Sequence, residues 1–250
     1  MATADTVKLL GTWWSPFVLR VRIALNLKSV EYEFIEEPMF PKSELLLESN
    51  PVYRKVPVLI HNHRPIPESA VIAQYIDDVW SSSSSSSPPP PPSSIFPSDP
   101  YHRATALFWS RYIDHEIFPI FHGLCFATHE RDKKEEMKKL AEKISPLEDV
   151  LCLIKRKGNN KFFGGERIGW LDIALGSLVG WFKAVEAACN GGVGFCFEGS
   201  PSLSRWAEDF AAEDAVRGVL PPAEELVEFA KGLSEILKGA RKSNWLCLPV

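Results

Sequence analysis

The run from Ser81 to Pro92 is seven serines followed by five prolines. It buries nothing, because the serines carry little apolar surface and the prolines favour extended polyproline II. The run itself cannot build a core, and the pattern of the chain changes character across it. The chain of 250 residues therefore reads as a domain over residues 1–80, a Ser/Pro linker over 81–98 and a larger domain over 99–250. The linker itself is expected to be a solvated spacer.

The two pieces carry different patterns. Before the run, short apolar strands alternate with helical spacing: a strand at Val7–Leu10, a helix at Pro16–Lys28, a strand at Tyr32–Ile35 and a short helix at Ser43–Glu48. Val58–Ile60 and Arg64–Ile66 then read as a hairpin across His61-Asn62-His63, although that turn lacks the favoured glycine. A helix at Ser69–Trp80 completes a β-α-β-α-β-β-α order. After the run strand signals vanish, and five segments show 3.6-residue apolar spacing: Tyr101–Phe121, Lys133–Lys155, Leu171–Ala188, Ser202–Ala212 and Ala223–Leu237. Pro119 and Pro146 should end or kink two of these helices. The fold class expected is a small α/β domain followed by an all-α one.

Charge and cysteine content exclude several functions. The net charge is −4, with 8 Lys and Arg against 10 Asp and Glu before Ser81 and 20 against 22 from there on. No basic arm exists to hold nucleic acid or an anionic membrane. The most apolar stretch, Ile168 to Phe182, is shorter than the ~20 residues a bilayer requires and contains Asp172. The N-terminus has no signal-peptide pattern, and five cysteines without Cys-x-x-Cys spacing suit reduced thiols. A cytoplasmic location is expected. His115, His122 and His129 fall seven apart, which is ~10.5 Å along a helix, too far to share a zinc bound at ~2 Å. No metal site is expected, and His61 and His63 read as exposed loop residues.

Single residues are ordinary when taken alone. Ser15 with Pro16 is a common helix start, yet a hydroxyl at the positive end of a helix dipole also suits a thiolate. The proline at Pro57 is a routine strand entry. Glu68 and Ser69 begin a helix, with Ser69 as a natural N-cap, and the N–H groups there could instead hold a ligand carboxylate while Glu68 pairs with an amine. Lys42 and Lys55 read as surface lysines. Asp172 with Gly169 fits a capping box whose carboxylate reaches back to the N-cap backbone.

Together, Trp14-Ser15-Pro16-Phe17, Arg20-Val21-Arg22-Ile23-Ala24-Leu25, Lys42-Ser43-Glu44-Leu45-Leu46-Leu47, Asn50-Pro51, Lys55-Val56-Pro57-Val58-Leu59 and Pro67-Glu68-Ser69 resemble the plant tau-class glutathione transferases. The second half continues the likeness with Pro97-Ser98-Asp99-Pro100-Tyr101, Phe108-Trp109, Tyr112-Ile113-Asp114, Phe162-Phe163-Gly164-Gly165 and Ile168-Gly169-Trp170-Leu171-Asp172-Ile173-Ala174-Leu175. Nearly the whole chain is covered. Two departures, Pro67 in place of a common cysteine and a longer linker, leave the sulfur chemistry untouched.

The resemblance implies a thioredoxin-like N-terminal domain that holds glutathione as co-substrate, an all-α domain that supplies most of a hydrophobic site, and a homodimer. By position, Ser15 would donate to the glutathione sulfur, and Pro57 would be a cis-proline preceded by Val56, whose backbone pairs with the cysteinyl unit. Glu68 and Ser69 would hold the γ-glutamyl end, and Lys42, helped by Lys55, the glycyl carboxylate. The acceptor electrophile would meet Phe17, Phe118, His122, Cys125, Trp181, Phe229 and Leu233, with Cys125 where the family often has a bulkier aromatic. The activity implied is conjugation of glutathione to hydrophobic electrophiles, with a peroxidase side activity, in detoxification and stress response. A ligandin-like carrier of hydrophobic small molecules is the alternative. A dehydroascorbate-reductase type of thiol transfer is disfavoured, because the position that needs a cysteine is Ser15.

Overall fold

The computed structural model describes residues 5–81, 94–126, 130–158, 160–188, 197 and 199–240. Most of the Ser/Pro run lies outside the described residues. The described residues form two compact units: those up to Phe96 with Asp214–Val219, and those of Pro97–Glu213 with the described part of Leu220–Leu248.

In the first unit the elements are β1 (Val7–Gly11), α1 (Pro16–Leu27), β2 (Glu33–Glu36), α2 (Glu44–Ser49), β3 (Val58–His61), β4 (Arg64–Pro67) and α3 (Ser69–Val79). This is the order read from the sequence, with ends shifted by a residue or so. The sheet runs β2-β1-β3-β4, β1 pairing parallel to β2 and antiparallel to β3, and β3 antiparallel to β4. Leu10 and Val58 pair across the sheet and form a cluster with Leu46 of α2. Their neighbours Leu9 and Leu59, also paired, point to the opposite face by strand alternation. Gly11 ends β1 where a Cβ would lie 2.5 Å from Val18 Cγ1, so only glycine lets α1 sit this close.

The hairpin turn works without glycine. Asn62 and His63 both take left-handed backbone, φ 48° and 65°, the geometry of a two-residue hairpin turn. The Asn62 carboxamide offsets the strain by accepting from the Thr6 N–H at 3.0 Å and donating to Asp5 at 2.9 Å. His61, expected in an exposed loop, is instead buried. Its Nδ1 lies 2.8 Å from the Tyr75 hydroxyl and its ring packs on Trp80 at 5.0 Å. His63 is exposed, as expected.

Asp77 of α3 gathers the chain beyond the Ser/Pro run. Its buried carboxylate accepts from the N–H groups of Ile95 (2.9 Å) and Phe96 (3.0 Å) and from the Ser94 hydroxyl (2.8 Å). It also pairs with the Lys28 ammonium at 2.7 Å. In the same unit Asn26 Nδ2 donates to the Ala215 carbonyl at 3.0 Å.

The second unit contains α4 (Pro100–Tyr112), α5 (Phe118–Phe126), α6 (Glu130–Lys155), α7 (Trp170–Gly176), α8 (Val179–Ala188), α9 (Pro201–Ala212) and α10 (Ala223–Ala240). A wide π turn over Ile113–Ile117 joins α4 to α5. It accommodates Pro119, which has no N–H and would crowd the carbonyl four residues back in a regular helix. Pro146 lies inside α6 and does not end the helix. The turn before it is kept in bonds by the Tyr112 hydroxyl, which donates to the Lys143 carbonyl at 2.9 Å. The single helix read at Leu171–Ala188 is two, α7 and α8. They part at Ser177 and Leu178, just after Gly176, where a Cβ would meet the Phe210 ring at 2.2 Å.

Asp172, fully buried near the start of α7, does what the capping pattern implies and more. Its carboxylate accepts from Gly169 N–H at 2.9 Å, and also from the N–H groups of Phe163 and Gly164 at 2.8 Å and from the Trp206 indole at 2.7 Å.

Candidate active site

A cleft of about 260 Å³ in the first unit is lined by Phe17, Tyr53, Lys55, Val56, Pro57, Glu68 and Ser69. Six of these seven are residues singled out in the sequence; Tyr53 is the addition. The Val56–Pro57 peptide bond is cis.

Ser15 stands at the head of α1, two residues before Phe17, and is not itself among the cleft-lining residues. Its backbone is held on both sides: the N–H donates to the Thr12 carbonyl at 3.3 Å, and the carbonyl accepts from Val18 and Leu19 at 3.0 Å. The side chain makes no capping bond to the helix, so α1 does not use the hydroxyl. Phe17 is backed by Arg20, whose guanidinium lies 4.8 Å from the ring centre.

The cationic side of the cleft is organised by Asn50, which is 2% exposed. Its N–H closes α2 onto the Leu46 carbonyl at 2.9 Å, and its carbonyl accepts from Arg54 at 2.8 Å. The side chain accepts from Tyr53 N–H at 3.2 Å and donates to the Lys55 carbonyl at 3.0 Å. Four bonds from one residue thus shape the loop that delivers Tyr53, Lys55 and Val56. The Lys42 ammonium donates to the Arg54 carbonyl. Burial, then the charges of Lys55 and Arg54, hold the Lys42 ammonium below the usual lysine range. Three cations therefore converge beside the cleft.

The other side is the start of α3. Here the N-cap is Glu68, not Ser69 as expected; Ser69 is the first helical residue and is buried. Glu68 is left-handed, φ 75°, a costly conformation for a residue with a Cβ. Its side chain makes no capping bond, so it satisfies none of the first N–H groups of α3.

Among the residues read as an acceptor site, Phe17 lines the cleft and three others meet within the second unit. Phe118 and Trp181 are buried and linked through Phe121, at ring separations of 6.0 and 5.6 Å. Trp181 in turn contacts the half-buried Phe229 at 6.3 Å. Phe121 was not singled out, although its helical spacing from Phe118 places it on the same face. The side chains of His122, Cys125 and Leu233 lie outside the described residues.

Among the described residues, no group of three His, Cys, Asp or Glu is placed to hold a metal ion, and no helix is long and apolar enough to cross a membrane.

Comparison with known proteins gives a consistent result. The model of the glutathione S-transferase N-terminal domain matches residues 5–78, and that of the C-terminal domain residues 102–214. Glutathione S-transferase U17 of Arabidopsis thaliana is 48% identical over 231 residues, covering 92% of this chain and 96% of that protein. Glutathione S-transferase U18 of the same plant is 44% identical over 234 residues, covering 93% and 97%. The crystal structure of a tau-class glutathione S-transferase from mango superposes with a TM-score of 0.81 at 46% identity, covering 91% of this chain and 98% of that one. A rice enzyme solved in complex with glutathione gives 0.80 at 35% identity, covering 94% and 99%. With a thioredoxin-like α/β unit, a helical unit and matches along both, the chain belongs to the glutathione S-transferase family, in its plant tau class.

Proposed function

We propose that this chain activates the thiol of glutathione and conjugates it to hydrophobic electrophiles, with the tripeptide held in the cleft of the first unit. The observation that carries the reading is that one cleft is lined by Lys55, whose charge acts with that of Arg54 on Lys42, and by Glu68 and Ser69 at the start of α3. Glutathione is a zwitterion of matching pattern. Its glycyl carboxylate meets Lys42 and Lys55, and its γ-glutamyl end carries a carboxylate for the α3 N–H groups and Ser69 and an amine for Glu68. The Val56 backbone, before Pro57, pairs with the cysteinyl unit between them.

Ser15 supplies the chemistry. A cysteine thiol has a pKa of about 8.5, so little thiolate is present at neutral pH. A hydroxyl donor together with the positive end of α1 stabilises the thiolate by about 2–3 kcal/mol, which lowers that pKa by about one to two pH units. The thiolate then attacks the electrophilic carbon of the acceptor, and the carbon–sulfur bond forms as the acceptor's leaving group departs. Phe17, Phe118, His122, Cys125, Trp181, Phe229 and Leu233 are assigned to acceptor binding. The protein acts as a cytoplasmic homodimer in detoxification.

Conjugation of glutathione to a chloronitrobenzene tests the reading. Turnover well above the uncatalysed rate, lost in Ser15→Ala, is expected; no turnover in the wild type would favour a carrier of hydrophobic molecules.

A further inference from the structure

We propose that Glu37 is a positioning residue for the carboxylate end of the ligand: through its bond to Ser43 it fixes the backbone that carries Lys42. The inference rests on the glutathione site proposed above. Glu37 follows β2, and its N–H donates to the Gly11 carbonyl at 2.8 Å, continuing the β1–β2 ladder past the Gly11 and Glu36 pair. Its backbone is thus tied to the sheet.

Glu37 is 4% exposed. Oε1 accepts the Ser43 hydroxyl at 2.9 Å, and Oε2 is buried with no hydrogen-bond partner among the described residues. Taking a carboxylate out of water is costly, and one neutral hydroxyl is small compensation for stability alone. The bond does something specific to Ser43, whose oxygen also accepts the Leu46 N–H at 3.0 Å as the N-cap of α2. With its proton on the sheet-anchored Glu37 and its lone pair on α2, Ser43 sets where the helix begins.

Lys42 is the residue immediately before that cap. Its ammonium is carried against Arg54 and Lys55, a like-charge placement that an untethered lysine would leave for water. The Glu37–Ser43 bond anchors the backbone end of Lys42, the Arg54 carbonyl receives its ammonium, and a ligand carboxylate completes the arrangement.

Steady-state kinetics with glutathione and with γ-glutamyl-cysteinyl-glycinamide, whose terminal carboxylate is replaced by a neutral amide, separate this role from general scaffolding. Glu37→Leu is expected to raise KM for glutathione about tenfold with kcat within about twofold, while KM for the amide moves less than about twofold. Ser43→Ala, which leaves Glu37 in place and serves if Glu37→Leu fails to fold, follows the same pattern, and Ser43→Thr restores the wild-type KM. Equal increases for both ligands in Glu37→Leu, or no increase for either, overturn the inference. Lys42→Ala is the reference. If it discriminates between the two ligands and the Glu37 and Ser43 variants do not, the glutathione site stands and this inference alone fails. If Lys42→Ala does not discriminate, the assignment of the glycyl end fails and the inference falls with it.

Discussion

Lys42 carries its charge where two neighbours already carry the same one. Burial and the nearby Lys55 and Arg54 depress its pKa, so a bound carboxylate relieves a repulsion as well as making a pair. Lys42→Met is expected to raise KM for glutathione about tenfold with little change in kcat, corresponding to about 1.4 kcal/mol of binding. Because a depressed ammonium loses its proton earlier than an ordinary lysine, KM of the wild type rises toward alkaline pH, and Lys42→Arg flattens that rise; KM measured across pH checks both. At this scale the sequence was legible only as a set. Lys42, Lys55, Glu68 and Ser69 each look like surface or capping residues, and it is the resemblance of the whole set to the glutathione transferases that implied glutathione. Asn50, Tyr53 and Glu37 were not legible, because their roles depend on partners that the fold brings in: Asn50 works through the Lys55 carbonyl, and Glu37 through the Gly11 carbonyl and the Ser43 hydroxyl.

Two buried carboxylates tie helices to the chain around them, with opposite responses to pH. Burial raises the Asp172 carboxyl to about 6, against the lowering effect of the N–H groups of Gly169, Trp206, Phe163 and Gly164. In the unfolded chain that proton leaves near ~3.9. Between the two values the folded chain holds one more proton, so stability falls as pH rises through that window and is level above it. Asp172→Asn abolishes this slope and costs about 2–4 kcal/mol at neutral pH, because one amide oxygen cannot accept from four donors. Urea unfolding across pH 4 to 8 reads both effects.

For Asp77, burial pushes the carboxyl up, but Lys28, the N–H groups of Ile95 and Phe96 and the Ser94 hydroxyl outweigh it and hold it below the ordinary range. Its contribution is present above the ordinary carboxylate pKa and is lost as pH falls through the depressed value. Asp77→Asn leaves Lys28 buried beside a neutral amide and is expected to cost about 3–5 kcal/mol, much of it recovered by adding Lys28→Met. The local Gly169 to Asp172 spacing was readable because capping acts over three residues. The links from Asp172 to Trp206 and from Asp77 to Ile95 and Phe96 act over longer separations that no periodicity records. The same holds for the close approach of the Phe210 ring to Gly176, which leaves no room for a Cβ there.

At the scale of the molecule, the Ser/Pro run and the change of pattern across it pointed to two domains. Asp214–Val219 groups with the first unit, which was not legible: six residues between helices carry no pattern that says where they pack. The homodimer proposed here predicts a light-scattering mass of twice the 28.0 kDa chain at micromolar concentration; a mass of one chain would remove it.

Thiol activation by Ser15 is the central claim, and the titration of bound glutathione tests it most directly. Thiolate absorbance of the binary complex, followed against pH, is expected to give a pKa about one to two pH units below that of the thiol in solution. In Ser15→Ala it returns toward about 8.5, and kcat falls about 10- to 100-fold, the loss of one charge-assisted hydrogen bond. A titration and turnover unchanged by Ser15→Ala would contradict the account.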